Sequence, residues 1–426
     1  MEEGNREHAA KTPSINSSGD RKCEGDLSHF TLVEGSTMEI LEEDNQECAA
    51  ETSAIMQNDD GEHEVDLSSF TSSSSPVMQK DDGNDSLLSK GLIFRIPGLF
   101  KMQNEQAYRP YKFSIGPWYF RETELLDMGQ KLKESFFERF INRFSDPAAT
   151  KSQLEVAIKN VRGKIRKCYE RRDVHHVYFD TIAFEKILLL DGCFIIELFR
   201  KNLVEVPEGE NESLIFSGGM MQVIYHDLLL LENQIPWVVL ELLFDTTSDD
   251  PKRISLTLVE LAVRFFSSAI SHYEPGELQS IQIGLQSRND ANFIHLVDFV
   301  WHFLCFSSEM GKIIELGYRE FEDRTLIPSV TRLKEAGVKF QKAESRNIMD
   351  VRFNNGILEI PPLLITPSTE TIFRNLIIFE QCSLRCNPYV TCYAILLDCL
   401  VDTADDVDLM SKAGIFSNWL NPEEAA

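Results

Sequence analysis

Four places in this 426-residue chain carry residue types and spacings that could do chemistry. Asp227 is followed by four leucines and then by Glu232, Asn233, Gln234 and, after Ile235, Pro236. Carboxylates at the edge of an apolar run could serve as general acid or base. The same polar side chains beside a proline-broken helix can equally satisfy the backbone groups that such a break frees, and this structural reading is the favoured one. His295, Asp298 and His302 are spaced i, i+3 and i+7, which places them on one face of a helix and offers three metal-ligand types. Residues seven apart lie ~10 Å apart along a helix axis, too far for both imidazoles to meet one ion easily. The expectation is therefore a polar stripe and no metal. His175 and His176 follow Arg171, Arg172 and Asp173 in what reads as a loop. Adjacent histidines point in different directions, no carboxylate–nucleophile set accompanies them, and a solvent-facing turn is favoured.

The fourth place is basic. Lys159, Arg162, Lys164, Arg166, Lys167, Arg171 and Arg172, with Glu170 the lone acid among them, give 159–172 a net charge of +6. Lys159, Arg162 and Arg166 share a helical face opposite the apolar stripe. Such a face is ordinarily just solvated; the alternatives are docking of an acidic partner or of the chain's own acidic arm, or peripheral contact with anionic lipid. Elsewhere there is no GxGxxG, P-loop, GxSxG, HExxH or EF-hand loop. No catalytic residue, cofactor or metal ligand is assigned, and a non-enzymatic interaction protein is the favoured reading; the alternative is an enzyme of unrecognised type with Asp227, Glu232 or the 295–302 face in a pocket. Nine cysteines are present, none in a CxxC pair; Cys382, Cys386, Cys392 and Cys399 are spaced as helix faces are, so core thiols in a reducing compartment are expected.

The elements that must position these residues begin late in the chain. Of 68 Asp+Glu and 42 Lys+Arg (net −26), residues 1–90 hold 21 and six, a net −15. An acidic balance of this size argues against a general nucleic-acid binder. Residues 1–91 are rich in Ser, Glu, Asp, Gly and Asn and poor in aromatics, a composition that cannot offset its ordering entropy, so a disordered acidic arm is expected. The arm repeats: 5–40 aligned on 45–80 is identical at 14 of 36 positions, a tandem duplication with a 40-residue period. Each copy carries D-L-S-x-F-T. Leu27, Phe30, Leu67 and Phe70 could anchor a bivalent docking peptide, although a neutral duplication in a tolerant tail is the blander account.

From Leu92 the pattern turns apolar and periodic, and 92–426 reads as one large helical domain. Helices are expected over about 125–144, 154–169, 182–202, 222–243, 254–272, 291–306, 329–336, 369–382, 390–402 and 405–413, with Gly337 and Gly414 as helix stops. Pro97, Gly116, Pro117 and Pro236 should set turns or breaks. Val351 to Phe353, Asn355-Gly356 and Ile357 to Ile360 read as a small β-hairpin ended by Pro361-Pro362. The fold class is thus mainly α. The apolar runs 223–244 and 293–306 are both interrupted by polar residues, so no integral membrane segment is expected. The N-terminus lacks a cationic start before an apolar run, which favours a cytoplasmic protein, at most peripheral at a membrane.

Several of these segments recur together in order: Phe94-Arg-Ile-Pro97, Ala107-Tyr108-Arg-Pro110, Phe113-Ser-Ile-Gly116-Pro117-Trp118, Asp191-Gly192-Cys193-Phe194, Asp227 through Glu232-Asn233-Gln234-Ile-Pro236, Phe353-Asn-Asn-Gly356, Phe373-Arg-Asn-Leu376, Phe379-Glu-Gln-Cys382, and Val390-Thr-Cys-Tyr-Ala394 with Asp398. In this order the chain resembles the plant-specific family called domain of unknown function 247, over about 92–420. The resemblance implies a helical domain and supplies no catalytic residues for Asp191, Glu232 or Asp398. Some grass members of that family are determinants of self-incompatibility, which implies recognition of an unknown protein partner. Relatives usually continue into a hydrophobic C-terminal membrane anchor; with this sequence ending at Ala426, the expectation is an anchorless isoform or a truncated gene product.

Overall fold

A computed structural model of the chain describes residues 93–102, 104–120, 127–169, 181–203, 216–248, 255–270, 285, 293–305, 327–345, 347–383 and 386–418. The fold is mainly α, as the periodicity requires. Among the described residues the helices are α1 (Gly98–Lys101), α2 (Asp127–Ile141), α3 (Pro147–Arg166), α4 (Thr181–Lys201), α5 (Gly218–Leu228), α6 (Trp237–Thr246), α7 (Leu258–Ile270), α8 (Leu296–Leu304), α9 (Val330–Glu335), α10 (Thr369–Cys382), α11 (Tyr389–Leu400) and α12 (Ala404–Lys412). Local signals set several of their ends. Asp146 caps α3 by accepting the Ala149 N–H, with Pro147 just inside the helix. Thr403 and Asp406 form a capping box at the start of α12. Gly337 and Gly414 follow α9 and α12 with φ of +95° and +73°, the left-handed stop expected of them.

The helix expected over 222–243 is two helices. Leu228 ends α5 and Pro236 caps α6, so the stretch between them is a buried turn that can turn inward only because its own polar side chains satisfy its backbone.

At the centre lies α4, which packs on α2, α3, α6 and α7. From Ile187 to Phe199 every one of its residues is buried, which is why its sequence has no clean polar face. Gly192 allows α6 to cross closely: a Cβ there would stand 2.4 Å from Leu243 Cδ1. Aromatic side chains join the two halves of the core. Trp237 stacks on Phe299 with centroids 5.0 Å apart, Phe293 meets both rings edge-on, and the Trp237 backbone N–H donates to Ile294 O. Such pairs add ~0.5–1.5 kcal/mol each beyond area burial.

Past residue 330 the chain becomes mixed. The hairpin forms as expected, β2 (Arg352–Asn354) antiparallel to β3 (Ile357–Ile360), with Asn355 and Gly356 at φ +52° and +78°. Two pairings were not signalled by sequence. β1 (Lys339–Lys342) runs parallel to β3, and β4 (Leu363–Ile365) runs parallel to β5 (Phe416–Asn418). Both are too short, and their partners too distant in sequence, for alternation to reveal them. The expectation of core thiols holds for Cys168 and Cys193, which are buried; Cys382 and Cys392 are exposed and Cys305, Cys386 and Cys399 half-buried, so the crowded group 382–399 lies largely outside the core. Among the described residues no helix is long and apolar enough to cross a membrane.

Candidate functional site

Residues 93–120 cross the surface of α2, α4 and the 229–236 turn with little regular structure of their own, so their backbone groups need partners. The partners are side chains. Asp227, at the end of α5, accepts three consecutive backbone N–H groups, from Tyr111 (2.8 Å), Lys112 (2.9 Å) and Phe113 (2.7 Å). Asn233 accepts from Ile115 and donates to Phe113 O and to Asp227 O. Gln234 donates to Leu228 O and Leu230 O, and its Oε1 accepts from the Leu296 N–H, the first residue of α8. Leu228 O is one of the carbonyls a helix leaves orphaned at its C-terminus.

Glu232 holds the start of the same segment. It accepts the Ile96 N–H (2.7 Å), the Tyr119 hydroxyl (2.8 Å) and Arg95 Nη1 (3.2 Å), with Lys101 Nζ also 2.7 Å away. Its side chain is fully buried. Deeper still, Asp191 of α4 accepts the Gly116 N–H at 2.7 Å and pairs with Lys133 of α2 at 2.5 Å, while Lys133 also donates to Ser114 O. Burial pushes the Asp191 carboxyl up from its ordinary value, and the Lys133 ammonium and the Gly116 N–H pull it back. Gly116 sits at φ +75°, and a Cβ there would meet Gln234 O at 2.2 Å, so only glycine allows the segment to lie this close to the turn.

Other buried carboxylates are also held by donors of the body. Glu380 of α10 accepts from Trp301 Nε1, the Val390 and Thr391 N–H groups and the Thr391 hydroxyl; burial raises its pKa against those donors. Glu197 of α4, despite its burial, is held below the usual carboxylate range by Arg200 and Arg143.

These carboxylates and amides tie the 95–119 segment to α2, α4 and the 229–236 turn, so the arrangement is a clamp. His226 is oriented by Asp227 (Nδ1 to Oδ1, 2.9 Å) and stacks on Tyr111, a pairing that superficially resembles half of a nucleophile–base system. Its Nε2 is buried, and among the described residues no hydroxyl or thiol meets it to complete the set.

The other sequence candidates fall apart from this clamp. His295, expected on the helical face with Asp298 and His302, is instead the N-cap of α8, where Nδ1 accepts the Asp298 N–H. Asp298 meanwhile takes the Ile294 N–H, and burial alone pushes His295 down to about 3. Among the described residues no group of three or more metal-binding side chains exists. On α3, Lys159 is exposed, Arg162 is ion-paired with Glu185 of α4, and Arg166 lies over the Phe184 ring at 5.1 Å. His175, His176, Arg171 and Arg172, together with Leu27, Phe30, Leu67 and Phe70, lie outside the described residues. The pair Lys133–Asp191 and the buried Glu197 escaped the reading of the sequence, though a signal was there: Lys133 falls on the apolar stripe of α2, and Asp191 and Glu197 interrupt a continuous apolar run. A charge in such a place must be paired.

These clamp residues coincide with the ordered segments by which the sequence resembles a known family, and comparison with known proteins agrees. UPF0481 protein At3g47200 of Arabidopsis thaliana is 28% identical over 339 residues, covering 75% of this chain and 67% of its own. A second UPF0481 protein of the same plant, At3g02645, is 22% identical over 421 residues, covering 78% of this chain and 76% of its own. No solved structure matches. The sequence pattern of the family described as "plant protein of unknown function", DUF247, matches residues 93–426, so the body that the clamp holds together makes this chain a member of the plant DUF247 family.

Proposed function

We propose that the chain is a non-enzymatic recognition module, a rigid helical body that presents a surface to a protein partner, with self-incompatibility-like recognition as the form such signalling would take. The observation that supports this reading is the fate of the buried carboxylates. Asp191, Glu197, Asp227, Glu232 and Glu380 are each held by donors of the body itself. A general acid or base has to reach a substrate proton, and these groups reach backbone amides and neighbouring side chains. What remains accessible is surface, including a groove between α2, α3 and α4 with an apolar floor and charged rim, the composition of a protein-contact site. The proposal places the protein in the cytoplasm.

The test is affinity capture from plant extract with the full chain as bait, compared with a Val156→Arg bait altered at the groove, Val156 being 52% exposed. A defined set of proteins retained by the first and lost by the second supports the reading. Identical captured sets from both, indistinguishable from an unrelated acidic bait, would sink it.

A second reading, peripheral membrane contact, draws on the exposure of Lys159, Lys164 and Lys167 along one end of α3. Flotation with anionic vesicles that falls steeply with salt and is lost on charge reversal would favour it.

A further inference from the structure

The groove between α2, α3 and α4 has a volume of about 820 Å³. Phe137, Ile141, Ile158, Leu189 and Leu190 form its floor, and Val156 stands exposed at its lip. Its rim is charged unevenly. Glu185 and Glu134 are paired with Arg162 and Lys186, whereas Lys151 and Lys159 have no ion pair among the described residues. Glu138 and Glu155 leave negative charge elsewhere on the rim, so an acidic ligand would place its acids toward the lysines.

The groove is continuous with the basic face. Glu155, Lys159, Arg162 and Arg166 are spaced i, i+4, i+7 and i+11, one stripe of α3. That stripe ends where the body begins: the Ile93 N–H donates to Cys168 O at 2.7 Å, and Ile93 bridges Tyr169. The acidic arm is therefore attached at the end of the same stripe that leads to the groove.

We propose that the groove is the seat of the chain's own D-L-S-x-F-T motif. Leu67 and Phe70 pack on the apolar floor and Glu64 and Asp66 lie toward Lys151 and Lys159; Leu27 and Phe30, with Glu24 and Asp26, compete for the same seat. Length allows it. Phe70 is 23 residues before Ile93, and a chain of that length reaches up to ~80 Å, whereas α3 from its end at Arg166 back to Val156 spans only ~15 Å. Charge acts locally: the groove is lined by four glutamates and three lysines, but Glu185 and Glu134 are paired, and Lys151 and Lys159 are left as the cations open to Glu64 and Asp66. Attachment raises the local concentration of the motif to roughly millimolar, so weak intrinsic affinity is enough for occupancy. An external partner reading this groove then competes with the arm. The proposal uses the body's surface but needs no outside partner, so capture of a partner at another face would leave the function standing when the seat fails.

The test uses the full chain and a full-chain variant, Leu27→Ala, Phe30→Ala, Leu67→Ala and Phe70→Ala together, checked for an unchanged melting curve. A fluorescent peptide of residues 60–73 is titrated against each by anisotropy. Its affinity for the variant should exceed that for the natural chain at least ~tenfold, because the tethered copies no longer compete. Adding Lys159→Glu to the variant should weaken the peptide several-fold, as should raising salt. Equal affinity for both chains, or no binding to either, overturns the proposal. So does a dimer in light scattering that these arm substitutions dissolve, which would assign the motif to a second copy. Vesicle flotation abolished by Lys159→Glu while peptide binding is untouched would overturn it in favour of a lipid surface.

Discussion

Between Ile96 and Gly116, the N–H groups of Ile96, Tyr111, Lys112, Phe113, Ile115 and Gly116 go to side-chain oxygens 75 to 136 residues away in sequence. Between Lys339 and Asn418 the strands pair backbone to backbone, much of it with neighbours in sequence. The first arrangement concentrates many backbone groups on few side chains; the second spreads them over many. Loss of one clamp side chain should therefore strand several buried donors at once, while damage to the hairpin should stay local. An unmet buried donor costs ~1–3 kcal/mol, and that asymmetry sets the scale of the expected effects.

Asp227→Ala should be the most damaging single change. It leaves the amides of Tyr111, Lys112 and Phe113 without acceptors and frees His226, for a loss of roughly 5 kcal/mol by urea denaturation at neutral pH. Asp227→Asn keeps one acceptor oxygen and should lose about half as much. A loss under about 1 kcal/mol for the alanine variant would mean that water replaces the carboxylate, and the clamp would not be structural. Lys133→Met comes next. It strands Asp191 in the core, at a cost of ~3–5 kcal/mol, and adding Asp191→Asn should recover much of the loss, since an amide oxygen can still accept the Gly116 N–H. Failure of the second change to recover stability would show that the ion pair itself, and not the unpaired charge, is what matters.

The two regions also differ in how visible they are from sequence. The hairpin is legible because its signal is contiguous: Asn355-Gly356 can adopt two left-handed residues between extended pieces, and nothing distant is needed to recognise it. Helix ends at Gly337 and Gly414 are legible for the same reason, whereas the helix expected from 154 starts at Pro147, capped by Asp146. The clamp was only half legible. Asp227, Glu232, Asn233 and Gln234 stand out as polar residues in an apolar run, and a backbone-satisfying role follows from that. Which backbone they satisfy does not, because the recipient segment lies more than a hundred residues upstream and carries no matching pattern. The helix drawn through 222–243 fails there too, since a buried turn is stable only with partners that local periodicity does not show. His295 misleads in a different way: i, i+3, i+7 spacing places it on a face only if the helix includes it, and α8 starts one residue later.

His295 provides the next effect in size, and it can be isolated by pH. Its pKa is about 3 in the folded protein, lowered by burial from an ordinary 6.5. Between those values the unfolded chain binds the extra proton and the folded chain does not. Stability from this group is thus fully present above about pH 6.5 and is lost as pH falls, at up to ~1.4 kcal/mol per pH unit. Asp191 and Glu380, whose pKa values are raised, act in the opposite sense in acid, so the comparison must be with a variant. His295→Asn can still cap α8 through its side-chain oxygen and has nothing to protonate. Its stability should fall less steeply than that of the natural chain between pH 6.5 and 4.5, the two curves diverging by roughly 2–3 kcal/mol; parallel curves would show that His295 is protonated in the folded state.

The smallest effect belongs to the hairpin. Asn355→Ala places a Cβ residue without a compensating side-chain hydrogen bond at φ +52°, which costs ~1 kcal/mol. The strand it serves is exposed along its length, Phe353 being 60% exposed, so opening the turn strands few buried groups. Hydrogen exchange should accelerate in β2 and β3 and remain unchanged at Tyr111 to Phe113, and Asn355→Gly should restore natural behaviour because glycine takes that φ freely. Accelerated exchange at Tyr111 to Phe113 in the alanine variant would break the comparison, because the hairpin would then be coupled to the clamp through β3 and the core residue Ile360 and would open with it.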